Sequence, residues 1–478
     1  MIRLRKLLQN NGEAQGFSTV QVIIASILLI SIGLIVATTA VTNYKFSTYT
    51  QKSVSAGAIA EAGVNYYLWH LSHNVTDYCD GNPCGSQGTD GYGPFTYNYK
   101  DSSGQVVGSY SLYIKPPQNF ANTVTVKSIG RVNGLNKSRV VQAQLSIPTV
   151  ASYVLLTSTQ AWVGQNETFN GPLHSNIGLR VDSTINAPVT VAQSTYRPTV
   201  QFGGDGSVKP GIWAGINPQP GKSTWQFPVP PIDFNSVTTN LQQLKTSAQS
   251  GGKYLGPSGK NGYYLYLKSD NSIDVYKVNT ESCTGQHITK TFFQNVPKPA
   301  NGILFVEDDV WIQSNGTQPN VDKYNSRLTV ATGRFPTSSS TNTTITIEGD
   351  ILYSKKDGSN VVGLIAQKDI KVSRFAPTTI EIDAAMLAQT GHVWYNKNTL
   401  SATCQTSIKN TINVYGSMAT YDYWTWTIVN GAGNTIDGYD ITINNYDQNL
   451  KYSPPPGFPT TTTGNFAILN YRELLENP

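Results

Sequence analysis

Residues 16–41 read GFSTVQVIIASILLISIGLIVATTAV, a run without one charged side chain, and the rest of the chain has to be read from it. About twenty apolar residues, rising 1.5 Å each, cross the hydrocarbon core of a bilayer as a single helix. Ser26, Ser31, Thr38 and Thr39 interrupt the run. A lone helix tolerates them because their hydroxyls bond back to its own carbonyls. Upstream is a short basic leader, MIRLRKLLQNNGEAQG, with Arg3, Arg5 and Lys6. Positive charge there holds that end in the cytoplasm and sends everything after the helix outward. A secretory signal would follow its apolar stretch with a small-residue cleavage site. Here the stretch continues into a helical pattern, with Ile59, Ala62, Val64, Leu68 and Leu71 near helical spacing. One long helix is expected from Phe17 to Ser72, its outer half packed on a globular head through small residues on one side, with Tyr66, Tyr67 and Trp69 on others.

Gly16-Phe17-Ser18-Thr19-Val20-Gln21 before a hydrophobic helix resembles the class III signal of type IV pilins. The stretch Ala58-Ile59-Ala60-Glu61-Ala62-Gly63-Val64 resembles the AEAG segment of PilX-type minor pilins, and VTVKSIGRVNGLNKSRVVQAQL at 124–145 resembles the sheet of their heads. The resemblance implies that a prepilin peptidase cuts after Gly16 and methylates the new N-terminal Phe17. It also implies that the mature helix joins other pilin subunits and the pilus assembly machinery. In that family a glutamate usually stands where this chain has Gln21, and its charge meets the N-terminal amine of a neighbouring subunit. A neutral Gln21 cannot make that ion pair, which points to an initiating, tip or accessory subunit rather than a bulk one. The other reading of Gln21 is drift in a tethered protein that never assembles.

Beyond the helix, residues 73–150 hold a turn-rich loop and then alternating segments at Val107–Ile114, Thr123–Gly130 and Ser138–Ile147. The last two flank Asn133-Gly134, the turn of a hairpin. From 151 onward short β-type runs alternate with Asn, Gly, Ser and Thr. They recur at Phe305-Val306-Glu307, Thr329-Val330-Ala331, Thr346-Ile347-Glu348, Leu364-Ile365-Ala366 and Ile382-Asp383-Ala384, with Val414-Tyr415-Gly416 after an insertion. Such spacing fits the rungs of a right-handed parallel β-helix over 151–430, with a β-sandwich as the alternative. GPLHSNIGLRVDSTINAPVTV and GDILYSKKDGSNVVGLIAQKDIKV resemble β-helix modules on pilin-like anchors, and Tyr471-Arg472-Glu473 resembles their closing segment. Pro454, Pro455, Pro456 and Pro459 cannot donate to a sheet, so an extended strap that seals the last rung is expected there. The expected class is therefore mainly β: leader 1–16, helix 17–72, pilin-like head 73–150, parallel β-helix 151–430 and capping segment 431–478.

Composition agrees with an exported chain. Only 13% of the 478 residues are charged, and the net charge of +5 is scattered, which gives no basic stripe for nucleic acid. The four cysteines permit two disulfides outside the cell. Pairing Cys79 with Cys84 and Cys283 with Cys404 is the simplest of three connectivities.

Chemistry is hard to find. The five histidines form no HExxH or His-x-His, and His70 and His73, which share a helical face, read as a polar helix end. Glu307, Asp308 and Asp309 form the densest acidic cluster. On an alternating strand Glu307 and Asp309 would point the same way, as Ca²⁺ ligands or a glycosidic pair, against a default of a solvated rung edge. Asp270, Asn271 and Asp274 read as a turn. No cofactor, metal or catalytic residue is expected. Tyr423, Trp424 and Trp426 are the candidate contact surface for a glycan, protein or DNA ligand, with a second aromatic patch at Tyr263-Tyr264-Leu265-Tyr266. The expectation is a single-pass membrane protein at the cell surface, a minor pilin-like subunit displaying a β-helix for adhesion. The alternatives are a tethered protein outside any filament and an anchored polysaccharide-active enzyme.

Overall fold

Helix α1 spans Gln15–His73, 59 residues without a break. A computed structural model describes residues 15–117, 122–216, 222–283, 287–396, 408–431, 433–461 and 466–474. The outer part of α1 buries Ala56, Ile59, Ala60, Val64, Tyr67 and Leu71, a stripe at helical spacing. The stripe lies on an antiparallel sheet of β1 (Tyr92–Lys100), β2 (Val106–Lys115), β3 (Val124–Val132) and β4 (Arg139–Ser146). Leu112, Ile114, Val126, Val141, Ala143 and Leu145 complete this core. The β3–β4 hairpin turns at Asn133-Gly134, where Gly134 adopts φ +73°. Helix and sheet close to backbone contact because Gly130 has no side chain: a Cβ there would lie 2.1 Å from the Ala56 carbonyl oxygen.

The head's sheet has a fifth strand, which comes from the far end of the chain. Ala467–Leu474 pairs antiparallel with β4, Tyr471 opposite Ala143. Just beyond this pair the chain crosses out and back at one place, with a Thr149–Thr460 bridge and backbone bonds from Val150 N to Pro459 O and from Thr461 N to Pro148 O. Everything between is thus an insertion between two neighbouring strands of the head.

Within the insertion the chain coils between two sheets of mostly parallel strands. In the first sheet, Phe305, Ala331, Ile365, Leu387, Ala419 and Leu156 stand side by side, as do Leu304, Val330, Leu364, Met386, Met418 and Leu155. Both rows are buried, which is why these strands read as unbroken apolar runs such as VVGLIA. One side faces the second sheet (Gly262–Leu267, Val310–Ser314, Ile345–Ile347, Ile370–Val372, Val393–Tyr395, Trp424–Thr425). The other side is covered by a second helix, α2 (Asn235–Gly251), through Leu241, Leu244 and Ala248, and by the proline segment. These parallel registers rule against the sandwich.

Three features differ from the sequence reading. Thr346-Ile347 belongs to the second sheet, whereas the other runs of the series lie in the first, so the apparent period mixed two faces of the coil. Stacking order also departs from chain order: the strand Ile408–Thr420 docks on Leu155–Thr157, the first of the insertion, and the early strands stack outward from that junction. Finally, the prolines do not sit on an end rung. Arg327 donates to the Ser453 and Pro454 carbonyls, Thr329 Oγ1 donates to Pro456 O, and side chains at Gly302 and Gly363 would strike Pro456 and Pro455. The strap crosses several rungs because their glycines and threonine leave a shallow track for it.

Candidate functional site

The first site is the part of α1 whose apolar side chains stand exposed. From Val20 to Phe46 every large apolar side chain is exposed, Ile23 by 58%, Leu29 by 69% and Phe46 by 71%. No charge interrupts residues 19–44, and the helix is long and apolar enough to cross a membrane. Its hydroxyls bond inward as expected, Ser26 Oγ to Val22 O and Ser31 Oγ to Ile27 O, both at 2.7 Å, and Thr38 and Thr39 likewise. Gln21 sits exposed on this surface. Gly16 and Phe17 lie at its start, within α1.

At the other end of α1, His70 Nε2 lies 3.0 Å from Asp77 Oδ2, and His73 Nδ1 bonds Trp69 O at 2.8 Å. The two histidines therefore serve the head rather than a shared ligand. Asp77 accepts from the Cys79 and Gly81 amides at the root of the Cys79–Cys84 disulfide loop. Its carboxyl lies below the ordinary range: burial would raise it, but these amides and His70 outweigh burial. Cys283 is also disulfide-bonded, while Cys404 lies outside the described residues.

The three acidic residues at 307–309 take different partners. Residues 307–309 form the corner between two strands, Ile303–Val306 and Val310–Ser314, so the alternation assumed for them does not hold. Glu307 pairs with Lys245 and accepts from Tyr254. Asp308 takes Ser258 and Arg334, and Asp309 accepts from the Thr344 amide. Asp270 and Asn271 lie in a turn, with Ser272 N bonded to Asp270 Oδ1 and Asn271 at φ +69°, whereas Asp274 already belongs to the strand Ile273–Glu281.

The aromatic surface expected at Tyr423, Trp424 and Trp426 is mostly core. Trp424 and Trp426 are 2% and 0% exposed, and Trp424 packs edge-on against Phe169 where the last strands meet the first. Tyr423 is half-buried between His392 and Phe202. The other patch divides by strand alternation: Tyr263 and Leu265 point into the core, while Tyr264 and Tyr266 face outward under Lys290, whose Nζ lies 4.0 Å and 5.2 Å from their ring centres.

That outward face carries a group the sequence concealed. A hairpin, Ile273–Glu281 and Ile288–Val296, edges the second sheet, and Val278 and Ile288 pack on Tyr264 and Trp311. Its tip brings Glu281 and His287 to Glu348, with one ligand-type atom of each within 4.8 Å of the others. His287 lies on Phe375 at 3.7 Å between ring centres. Burial alone would lower its pKa, but the adjoining Glu348 carboxylate raises it. Sixty-one residues separate His287 from Glu348, so no local motif could have flagged the group. Beside it is a cavity of about 290 Å³ lined by Asn261, Glu281, Asp309, Trp311, Thr344, Thr346 and Lys371.

No protein-family model and no curated protein matches the chain. Among solved structures it is similar to the competence-associated pilin ComZ from Thermus thermophilus, at 14% identity and a TM-score of 0.32, over 89% of this chain and 98% of that one. A likeness this weak decides nothing about function.

Proposed function

We propose that this chain is a type IV pilin-like protein anchored by α1, and within that class a minor subunit that primes, tips or accompanies a filament and displays its β body for adhesion. The observation that carries the reading is the division of α1. One continuous helix packs its outer third on a small antiparallel sheet and leaves fifteen large apolar side chains bare between Val20 and Phe46. Bare apolar surface of that extent in water is strongly unfavourable, so it needs lipid before assembly or other apolar helices after it. Prepilin peptidase cleavage after Gly16, methylation of Phe17 and partnership with other pilin subunits belong to the same proposal, as does Gln21 marking a position that needs no ion pair to a neighbour. Against the enzyme reading, Glu307 is taken up by Lys245 and Tyr254, and Asp309 by the Thr344 amide.

Intact-mass and N-terminal analysis of the native protein, with sheared filaments beside membranes, tests the proposal. A mature chain starting at methylated Phe17 in the filament fraction supports it. The same mature chain confined to membranes favours a tethered, non-filament protein, and a chain cut inside or after the apolar run overturns the pilin reading.

A further inference from the structure

The tip of the hairpin over the second sheet is built in a way its own residues do not complete. His287 Nδ1 lies 3.1 Å from the Ser282 carbonyl, and a carbonyl can only accept, so this nitrogen carries a hydrogen. In the neutral ring Nε2 then presents a lone pair, yet it faces the Glu348 carboxylate at 3.3 Å and 3.4 Å. Two lone pairs at that distance repel unless a cation, a proton or a metal, lies between them. Glu281 brings a second carboxylate to the same point from the hairpin strand. The carboxylate of Glu348 is 6% exposed and His287 is 16% exposed, so water screens this concentration of charge poorly. The backbone carbonyl on one ring nitrogen and the Phe375 stack on its face hold the imidazole in one orientation, the support that metal-binding histidines ordinarily receive from their surroundings.

A second observation comes from the adjoining cavity, which Glu281 also lines. Trp311 lines it too. That residue is 5% exposed, and its indole N–H has no hydrogen-bond partner among the described residues. A buried donor left unmet carries a cost that a water or other oxygen ligand in this cavity would relieve.

We propose that Glu281, His287 and Glu348 bind a divalent first-row metal ion, zinc above all, which fastens the hairpin tip to the coil. One imidazole and two carboxylates suit zinc or manganese better than calcium, whose sites are all oxygen. Three protein ligands leave at least one position for water from the cavity side. The tip is already tied by the disulfide of Cys283, by the His287–Phe375 stack and by the contacts of Val278 and Ile288, and the ion would add a clamp between Glu281, His287 and the Glu348 strand.

The full chain in detergent, stripped with EDTA and dialysed, is titrated with zinc chloride against a chromophoric chelator. One equivalent should bind, and Glu281→Gln, His287→Ala and Glu348→Gln should each weaken it at least tenfold, while His73→Ala leaves it unchanged. Cobalt substitution should give the visible spectrum of a low-symmetry nitrogen and oxygen site, lost in His287→Ala. Zinc should also slow amide exchange in 273–296 of the wild type and not in the variants. Because Glu281 is only partly buried, Glu281→Gln keeps the test valid if the buried Glu348 variant misfolds. Stoichiometric binding that survives His287→Ala, or an affinity no tighter than that of the triple variant, overturns the proposal and leaves a protonated His287 paired with Glu348.

Discussion

Two glycines of the head should respond to alanine with opposite signs. At Gly130 in β3, an added Cβ would lie 2.1 Å from the Ala56 carbonyl oxygen and 2.5 Å from the Ala60 nitrogen, both backbone atoms of α1. Real contacts of a Cβ do not fall below 3.0 Å, so the helix must lift by roughly 1 Å. A gap of that size forfeits a quarter to a half of each dispersion contact along Ile59, Ala60 and Val64, and overpacking of this kind costs about 1–3 kcal/mol. Replacing glycine in a strand returns roughly 0.5–1 kcal/mol of it. Because both obstacles are backbone atoms that cannot rotate aside, the upper end of that cost applies, and the net for Gly130→Ala is a loss of about 2 kcal/mol. At Gly57, on the same helix, nothing lies within 4 Å of the added Cβ, and helix propensity alone predicts a gain of about 1 kcal/mol. Native-state hydrogen exchange of β3, in detergent, reads both. Gly130→Ala should speed exchange about 30-fold and Gly57→Ala should slow it about 5-fold. If Gly130→Ala exchanges within twofold of the wild type, the close approach of helix to sheet is not what holds the head together.

Other outcomes can be stated more briefly. Burial raises the Asp383 carboxyl to about 6 despite its ion pair with Lys356, so the native state holds the extra proton between about pH 4 and 6. Stability should then fall as pH rises through that window, by at most about 3 kcal/mol, and Asp383→Asn should flatten the urea midpoint between pH 5 and 7.5. Arg327, 4% exposed, donates to the carbonyls of Gly358, Ser453 and Pro454; Arg327→Lys loses the fork, costs about 2–3 kcal/mol and should open the 453–459 strap to proteolysis first. Replacing 149–460 by a short glycine turn should leave the head folded, with the β4 amides still protected by the strand 467–474; their loss of protection would mean that the body holds the head in shape.

The sequence carried the helix, the head and the parallel stacking because each rests on local periodicity. Apolar residues 20–41, the stripe from Ala56 to Leu71 and runs such as Val361–Ala366 are each visible within a window of ten to twenty residues. What it hid depends on long-range closure. Nothing near Leu155 announces Met418 as its partner, and nothing near β4 announces Tyr471. Helix α2 was hidden by its polar composition, since among its described side chains Leu241, Leu244 and Ala248 mark the buried side. The aromatic reading at 423–426 failed because composition does not say which face of a strand end is covered, and the Glu281–His287–Glu348 group failed because a hairpin tip had to fold across the sheet to make it.

The insertion geometry bears on how such a protein could serve as a subunit. The head and the body have separate cores, and the covalent path between them is two strands that cross at one paired point, Thr149 beside Thr460. A single linker pivots about its own bonds, whereas two crossings tied by the Val150 N–Pro459 O and Thr461 N–Pro148 O bonds, both near 3 Å, resist both twist and bend. The body closes on itself in the same way, its first strand Leu155–Thr157 held between Ile408–Thr420 and Leu173–Ser175 rather than left as an open edge. Because the two cores are separate, substitutions on the body's surface leave the packing of α1 on the head unchanged, while the paired joint holds the body at a fixed attitude to it. A subunit divided in this way can change its displayed surface while keeping one assembly helix.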